Sequence, residues 1–211
     1  MFIKICGITN LEDARLAVDA GADALGFNFY PPSPRYIDPG AARTIIQQLP
    51  GHVLAVGVFV NEKAPERVAQ IADEAGVKAV QLHGDESPEY CRALELRYVI
   101  KSLAVRKDFI PESALDYQVN AVLLDAFDPE MRGGTGNVID WSVARAVRDL
   151  VPHVMLAGGL SPENVEQAIE AVNPYGVDAC SALESSAGKK DFVRVRNFVK
   201  AARFPLGAVK R

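Results

Sequence analysis

Eight short apolar runs, each followed by a longer amphipathic stretch, decide what this chain can fold into. The runs are Phe2–Cys6, Ala24–Phe29, Val53–Val60, Ala79–His83, Tyr98–Leu103, Ala121–Asp125, His153–Ala157 and Gly176–Cys180. Each is nearly continuous in apolar character, as expected of a parallel strand covered on both faces. The stretches between them carry helical signals. Leu11–Ala20 follows a capping-box pattern, with Thr9 as N-cap and Glu12 three residues on, and stops before Gly21. Ala64–Ala75 places Val68, Ile71, Ala72 and Ala75 on one face and stops before Gly76. Pro162–Val172 is predicted to start behind Ser161 as N-cap. Helices are also predicted over Pro39–Leu49, Ser87–Leu96, Pro111–Val119, Trp141–Leu150 and Lys189–Arg203.

Alternating strands and helices imply a parallel sheet. The segments Ala20-Gly21-Ala22-Asp23-Ala24 and Ala75-Gly76-Val77-Lys78-Ala79 repeat one arrangement of helix end, glycine, turn and strand. Eight such units within 211 residues fit a single small (β/α)8 barrel domain spanning residues 1–211. An open doubly wound sheet is the alternative. Its glycine-rich dinucleotide fingerprint is missing from the first turn, Cys6-Gly7-Ile8-Thr9.

The net charge of −4 leaves no basic footprint for nucleic acid or an anionic membrane. Three widely spaced cysteines, Cys6, Cys91 and Cys180, argue against a disulfide framework and fit a reducing compartment. No Cys/His spacing resembles a zinc site. The first residues lack a signal-peptide core, and no apolar run is long enough to span a bilayer. A cytoplasmic protein needing no cofactor is expected, acting on a small molecule as a monomer or a homodimer.

A barrel builds its site from the loops after its strands, and those loops hold the unusual residues. Cys6 ends the first run. Free cysteine is usually a buried structural residue, so both that role and a chemical one stand, and Cys180 at the end of the eighth run competes with it. Cys91, inside a helical stretch, fits a structural role. Arg35, in the stiff loop Tyr30–Tyr36, is either a fork for a carboxylate or phosphate or a solvated side chain. His83 either lines the site or caps a strand end. Asp125 closes the run Val122-Leu123-Leu124, partly out of water, which suits a general acid; a loop or capping carboxylate is the alternative. Gly158-Gly159 leads towards a helix, where exposed N–H groups suit a phosphate, or else serves a tight turn. Ser181-Ala182 follows the eighth run, and phosphate sites in barrels often lie between the last two loops. Gly133–Gly136 is a candidate flap or a long turn.

Together these residues resemble the phosphoribosylanthranilate isomerase family. The resemblance rests on Lys4–Thr9, Ser33–Tyr36, Val56–Asn61, Gln81–Glu86, Leu124-Asp125, Gly133–Gly136 and Leu156–Leu160, which appear in order along nearly the whole chain. It implies a (β/α)8 barrel of tryptophan biosynthesis and an Amadori rearrangement of a phosphosugar. It further implies that Asp125 is the general acid at the furanose ring oxygen and Cys6 the general base at C2′. Arg35 would hold the anthranilate carboxylate, and Gly158, Gly159, Ser181 and Ala182 the phosphate. The family's last loop usually reads Ser-Ser-Gly-Val-Glu. Here it reads Cys180-Ser181-Ala182-Leu183-Glu184, so Ala182 stands where a glycine is expected. Two alternatives follow: a related isomerase of histidine biosynthesis or a bifunctional version, which use aspartate where Cys6 stands, and a non-catalytic phosphosugar-binding barrel.

Overall fold

The computed structural model describes residues 1–126 and 139–204. Eight parallel strands close into a barrel in chain order: β1 (Phe2–Ile5), β2 (Ala24–Asn28), β3 (Leu54–Phe59), β4 (Ala79–Leu82), β5 (Tyr98–Val105), β6 (Ala121–Ala126), β7 (Val154–Leu156) and β8 (Gly176–Ala179). Closure comes from β8 pairing β1, in the register Phe2↔Gly176 through Ile5↔Ala179. The helices are α1 (Leu11–Ala20), α2 (Pro39–Ile46), α3 (Pro65–Ala75), α4 (Pro88–Arg92), α5 (Trp141–Leu150), α6 (Val165–Val172) and α7 (Phe192–Arg203). Among the described residues no helix is long and apolar enough to cross a membrane.

Two apolar layers follow from the period-two alternation of side chains along each strand. One set fills the barrel: Ala24, Val56, Ala79, Ile100, Ala121, Leu123, Met155 and Ala157. The other, including Ile3, Leu25, Phe27, Val80, Leu124 and Val177, packs outward against Val68, Ala144, Val165 and Phe198 of the helices. The strands are less apolar than their runs suggested. Lys4, Gln81, Lys101, Ser102 and Asp178 are buried within them.

Several boundaries differ from those the sequence predicts, each for a local reason. Asn10, not Thr9, caps α1, its side chain accepting from Asp13 N at 2.8 Å. Thr9 instead donates its hydroxyl to Gly188 O at 2.6 Å, tying the first loop to the last. Ser161 caps a turn rather than the helix, which starts later, behind Asn164. Pro111–Asp116 is a 3-10 helix. The stretch predicted as one helix from Lys189 begins with a small hairpin, β9 (Glu184–Ser186) and β10 (Lys189–Lys190), and Asp191 then caps α7. Local periodicity cannot separate a two-residue strand from the start of a helix.

Beyond the strands, a buried ion pair fixes two loops. Lys101 Nζ reaches Glu86 Oε2 at 2.7 Å and Gly84 O at 2.7 Å. Glu86 Oε1 accepts from Asn61 N at 2.7 Å, joining the loop after β3 to the loop after β4. Both side chains are 2% exposed, so removing one charge strands the other out of water. Lys101→Met should therefore destabilise the fold by roughly 3–5 kcal/mol in chemical denaturation, and a change below about 1 kcal/mol would show that the pair is not needed.

Candidate active site

A cavity of about 470 Å³ opens at the C-terminal ends of the strands. Cys6, Arg35, His83, Asp125, Gly158, Gly159, Ser181 and Ala182 all line it, with Asp178 and Cys180. The fold thus brings every residue proposed from the sequence to one place. The Gly133–Gly136 loop lies outside the described residues.

Cys6 sits one residue past β1, where its N–H bonds Ala179 O at 2.9 Å. Room for its thiol comes from Gly26 on the neighbouring strand: a Cβ there would meet Cys6 Sγ at 2.7 Å. Below it on the same inward face lies Lys4, fully buried and paired to Asp178 Oδ1 at 2.9 Å. A hydrogen bond with Cys180 pulls the Cys6 thiol well below its ordinary range; burial opposes this, and the Lys4 and Lys190 ammoniums add to the lowering. Cys180 moves the other way, pushed up first by that same bond and then by burial. Cys6 is therefore the more acidic thiol of the pair and Cys180 the one that keeps its proton. Burial pulls the Lys4 ammonium down, but Asp178 and Cys6 hold it above its usual value. Burial dominates at Asp178, which is pushed up to about 6.

Asp125 lies across β7 and β8 from Cys6 on the closed ring. Its Oδ1 accepts from Ala126 N at 2.8 Å, and its Oδ2 is 3.0 Å from His83 Nε2. Gly158, at φ +70, is held so close to this carboxylate that a Cβ would meet Oδ1 at 2.8 Å and run into Ala126 N. Burial is the largest influence on His83 and lowers it, but the bond to Asp125 and the charges of Asp125 and Cys6 together outweigh it and leave His83 above its ordinary value. On its other side, His83 Nδ1 is 2.8 Å from Gln81 Nε2. The Gln81 amide donates to a neutral His83. Turned over, it would present its otherwise unpartnered Oε1 to the N–H of a charged one. His83 therefore lines the site and is also satisfied, so the two roles considered for it are not exclusive.

Arg35 is not a solvated side chain. Its Nε and Nη2 fork onto Glu184 at 2.8–3.1 Å, and Glu184 also takes Lys190 Nζ at 2.9 Å. Burial pushes the Glu184 carboxyl up, but Arg35 and Lys190 together hold it below its ordinary range. The fork leaves Arg35 Nη1 out.

The last two loops present backbone N–H groups. Gly158 and Gly159 both have positive φ, 70° and 65°. Among the described residues the N–H groups of Gly159 and Ala182 have no backbone partner. Ala182 is not among the positive-φ residues, so alanine stands there without backbone strain. Its carbonyl accepts from Arg194 Nε, which pins the turn Ser181–Leu183 to α7.

Sequence inspection missed Lys4, Asp178, Gln81 and Glu184 as parts of this site. For Lys4 a signal existed: strand alternation puts it on the same face as Cys6.

Comparison with known proteins bears on this arrangement. Residues 3–201 match the family model described as PRAI, N-(5'phosphoribosyl)anthranilate (PRA) isomerase. The N-(5'-phosphoribosyl)anthranilate isomerase of Trichlorobacter lovleyi is 50% identical over 201 residues, 95% of this chain and 97% of that protein. The crystal structure of phosphoribosyl anthranilate isomerase from Thermotoga maritima superposes with a TM-score of 0.90 at 46% identity, covering 96% of this chain and 98% of that one. A phosphoribosyl anthranilate isomerase in complex with reduced 1-(o-carboxyphenylamino)-1-deoxyribulose 5-phosphate superposes with a TM-score of 0.86 at 46% identity, with the same coverage.

The thiol pair makes a direct prediction. Alkylation of Cys6 by iodoacetamide, followed by peptide mass spectrometry against pH, should reach half its maximal rate below the ordinary thiol value of about 8.5. Cys180→Ala removes the bond that lowers Cys6 and should move that midpoint upward, whereas Cys180→Ser keeps a donor and should move it less. An unmoved midpoint in Cys180→Ala would rule out the assigned cause.

Proposed function

The chain belongs to the N-(5'-phosphoribosyl)anthranilate isomerase family, and from that premise we propose that it catalyses the Amadori rearrangement of N-(5-phosphoribosyl)anthranilate to 1-(2-carboxyphenylamino)-1-deoxyribulose 5-phosphate in tryptophan biosynthesis. The observation that carries this is the convergence of Cys6 and Asp125 on one cavity, with the thiol held well below its ordinary range.

The two residues divide the chemistry. Asp125 protonates the furanose ring oxygen, and the C1′–O bond breaks as the anthranilate nitrogen lone pair forms a cationic Schiff base. That cation acidifies C2′. Cys6, as thiolate, takes the C2′ proton, and the electron pair flows back to nitrogen to give an enolamine, which tautomerises to the ketone. His83 Nε2, 3.0 Å from Asp125 Oδ2, is placed to return a proton to the spent carboxylate. Cys6 acts as a proton acceptor and forms no bond to carbon. Lys4 supports the thiolate from within the barrel without reaching substrate.

Arg35 binds the anthranilate carboxylate. Its position in the cavity wall and the Nη1 edge left outside the Glu184 fork support that role. Glu184 and Lys190 then hold the guanidinium at the required angle. The phosphate sits against the N–H groups of Gly158, Gly159, Ser181 and Ala182; the left-handed glycine pair and the short turn holding Ser181 and Ala182, both on the cavity wall, support that. A non-catalytic barrel would have no use for a depressed thiol facing a protonatable pair. A histidine-pathway enzyme would place a carboxylate at Cys6.

Incubation with N-(5-phosphoribosyl)anthranilate tests the activity, and absence of product would end the proposal. Cys6→Ala and Asp125→Ala should each lower kcat by about 10²–10⁴-fold; near-normal turnover in either would sink its assigned role. Arg35→Ala should raise KM more than it lowers kcat. In the wild type the acid limb of kcat/KM should lie below pH of about 8.5, because a lowered thiol supplies base until the pH falls through its own value.

A further inference from the structure

Cys180 is not needed as a thiol by the rearrangement: any hydroxyl or thiol donor there would stabilise the Cys6 thiolate. A serine, which the family's loop usually carries, would do so too. A second cysteine adds a different property.

The strand register sets the geometry. β1 and β8 pair with Ile5 opposite Ala179. The next residues along, Cys6 and Cys180, are therefore neighbours across the closing seam, on the same inward face. Neighbouring strands lie about 4.7–4.9 Å apart, inside the disulfide Cα range of about 4.4–6.8 Å. Each thiol shifts the acidity of the other, Cys6 downward and Cys180 upward. A Cβ on Gly7, the residue after Cys6, would meet Cys180 Sγ at 2.8 Å, so the Cys180 sulfur lies over the turn that leaves β1. Both cysteines line the open cavity, so a small oxidant can reach them. Cys91 is buried in α4 and does not line that cavity.

We propose that Cys6 and Cys180 form an oxidation site in which a hydroperoxide converts the two thiols into an intramolecular disulfide across the β8–β1 seam. The Cys6 thiolate attacks one peroxide oxygen. The O–O bond breaks, giving Cys6–SOH and an alkoxide or hydroxide that takes up a proton. Cys180 then attacks the Cys6 sulfur, its thiol proton leaves with the departing hydroxyl as water, and the S–S bond forms. Cys6 is oxidised first, because the thiolate is the nucleophile. Cys180 is the resolving thiol. Its proton has a second acceptor, Glu184 Oε1 at 3.8 Å, and the Lys190 ammonium at 3.9 Å favours a negative sulfur. The disulfide would remove the base and close the site. It would also shelter Cys6 from irreversible sulfinic and sulfonic acids. The loss of activity, though not the disulfide itself, rests on Cys6 being the base.

Titrating the full chain with hydrogen peroxide tests this by mass spectrometry and turnover together. In the wild type and in Cys91→Ser, the expected result is an intact mass lower by two hydrogens and a peptide joining Cys6 to Cys180. Turnover should fall by about 10²-fold and return with dithiothreitol. In Cys180→Ser, rates are taken relative to its own untreated sample. Cys6 should then gain oxygen without a link, and the lost turnover should not return. Oxygen adducts on wild-type Cys6 with Cys180 still open to alkylation would overturn the proposal, as would a link through Cys91. A joined peptide with undiminished turnover would uphold the disulfide and instead overturn Cys6 as the base.

Discussion

The site depends on how the barrel closes. β8 pairs β1 across nearly the whole length of the chain, and inside that seam Lys4 bonds Asp178, 174 residues away. Closing a parallel sheet fixes the stagger between strands, and the stagger fixes which inward side chains share a level. Lys4 and Asp178 share one level, and Cys6 and Cys180 follow on the next. A register slip at this seam would turn each strand's inward set outward and take apart the ion pair and the thiol pair together.

Around the seam, the buried charges are arranged in pairs with separate tasks. Lys101 with Glu86 holds the loops after β3 and β4. Arg35 and Lys190 share Glu184, which joins the second loop to the terminal hairpin. His83 pairs with Asp125 on the cavity wall. Lys4 with Asp178 sets the field beneath Cys6. Burying charges is costly, and at Lys101–Glu86, Glu184–Lys190 and His83–Asp125 further hydrogen bonds satisfy what the partner leaves open. The result is a cavity in which an acidified thiol and a carboxyl–imidazole pair lie a few strands apart. Burial alone would push the thiol up. The Cys180 bond and the two ammoniums reverse that direction.

The sequence carried the barrel and most of the site in different ways. The eight strands were visible because burial on both faces leaves nearly continuous apolar runs. Cys6 and Asp125 stood out because each ends such a run, and Arg35 because it lies in the loop that follows one. Helix starts were less visible. Thr9 and Ser161 both have the chemistry of an N-cap, but Thr9 is drawn to Gly188 and Ser161 to a preceding turn, and Asn10 and Asn164 take the helix-start positions. Glu184 matches the glutamate of the family's last loop, but nothing in the sequence pointed to its partners. Its partners Arg35 and Lys190 sit in a distant loop and in a hairpin too short to show any period.

What the sequence alone determined is the count and order of the barrel strands, the loops that line the cavity, and the residue types available there. Periodicity and turn residues are local, so they can be read from neighbours along the chain. The tertiary structure decided the partners: Cys180 for Cys6, His83 for Asp125, Glu184 for Arg35 and Asp178 for Lys4. Those pairings depend on strand register and ring closure, which join residues far apart in the chain, and no local pattern encodes which two levels will meet.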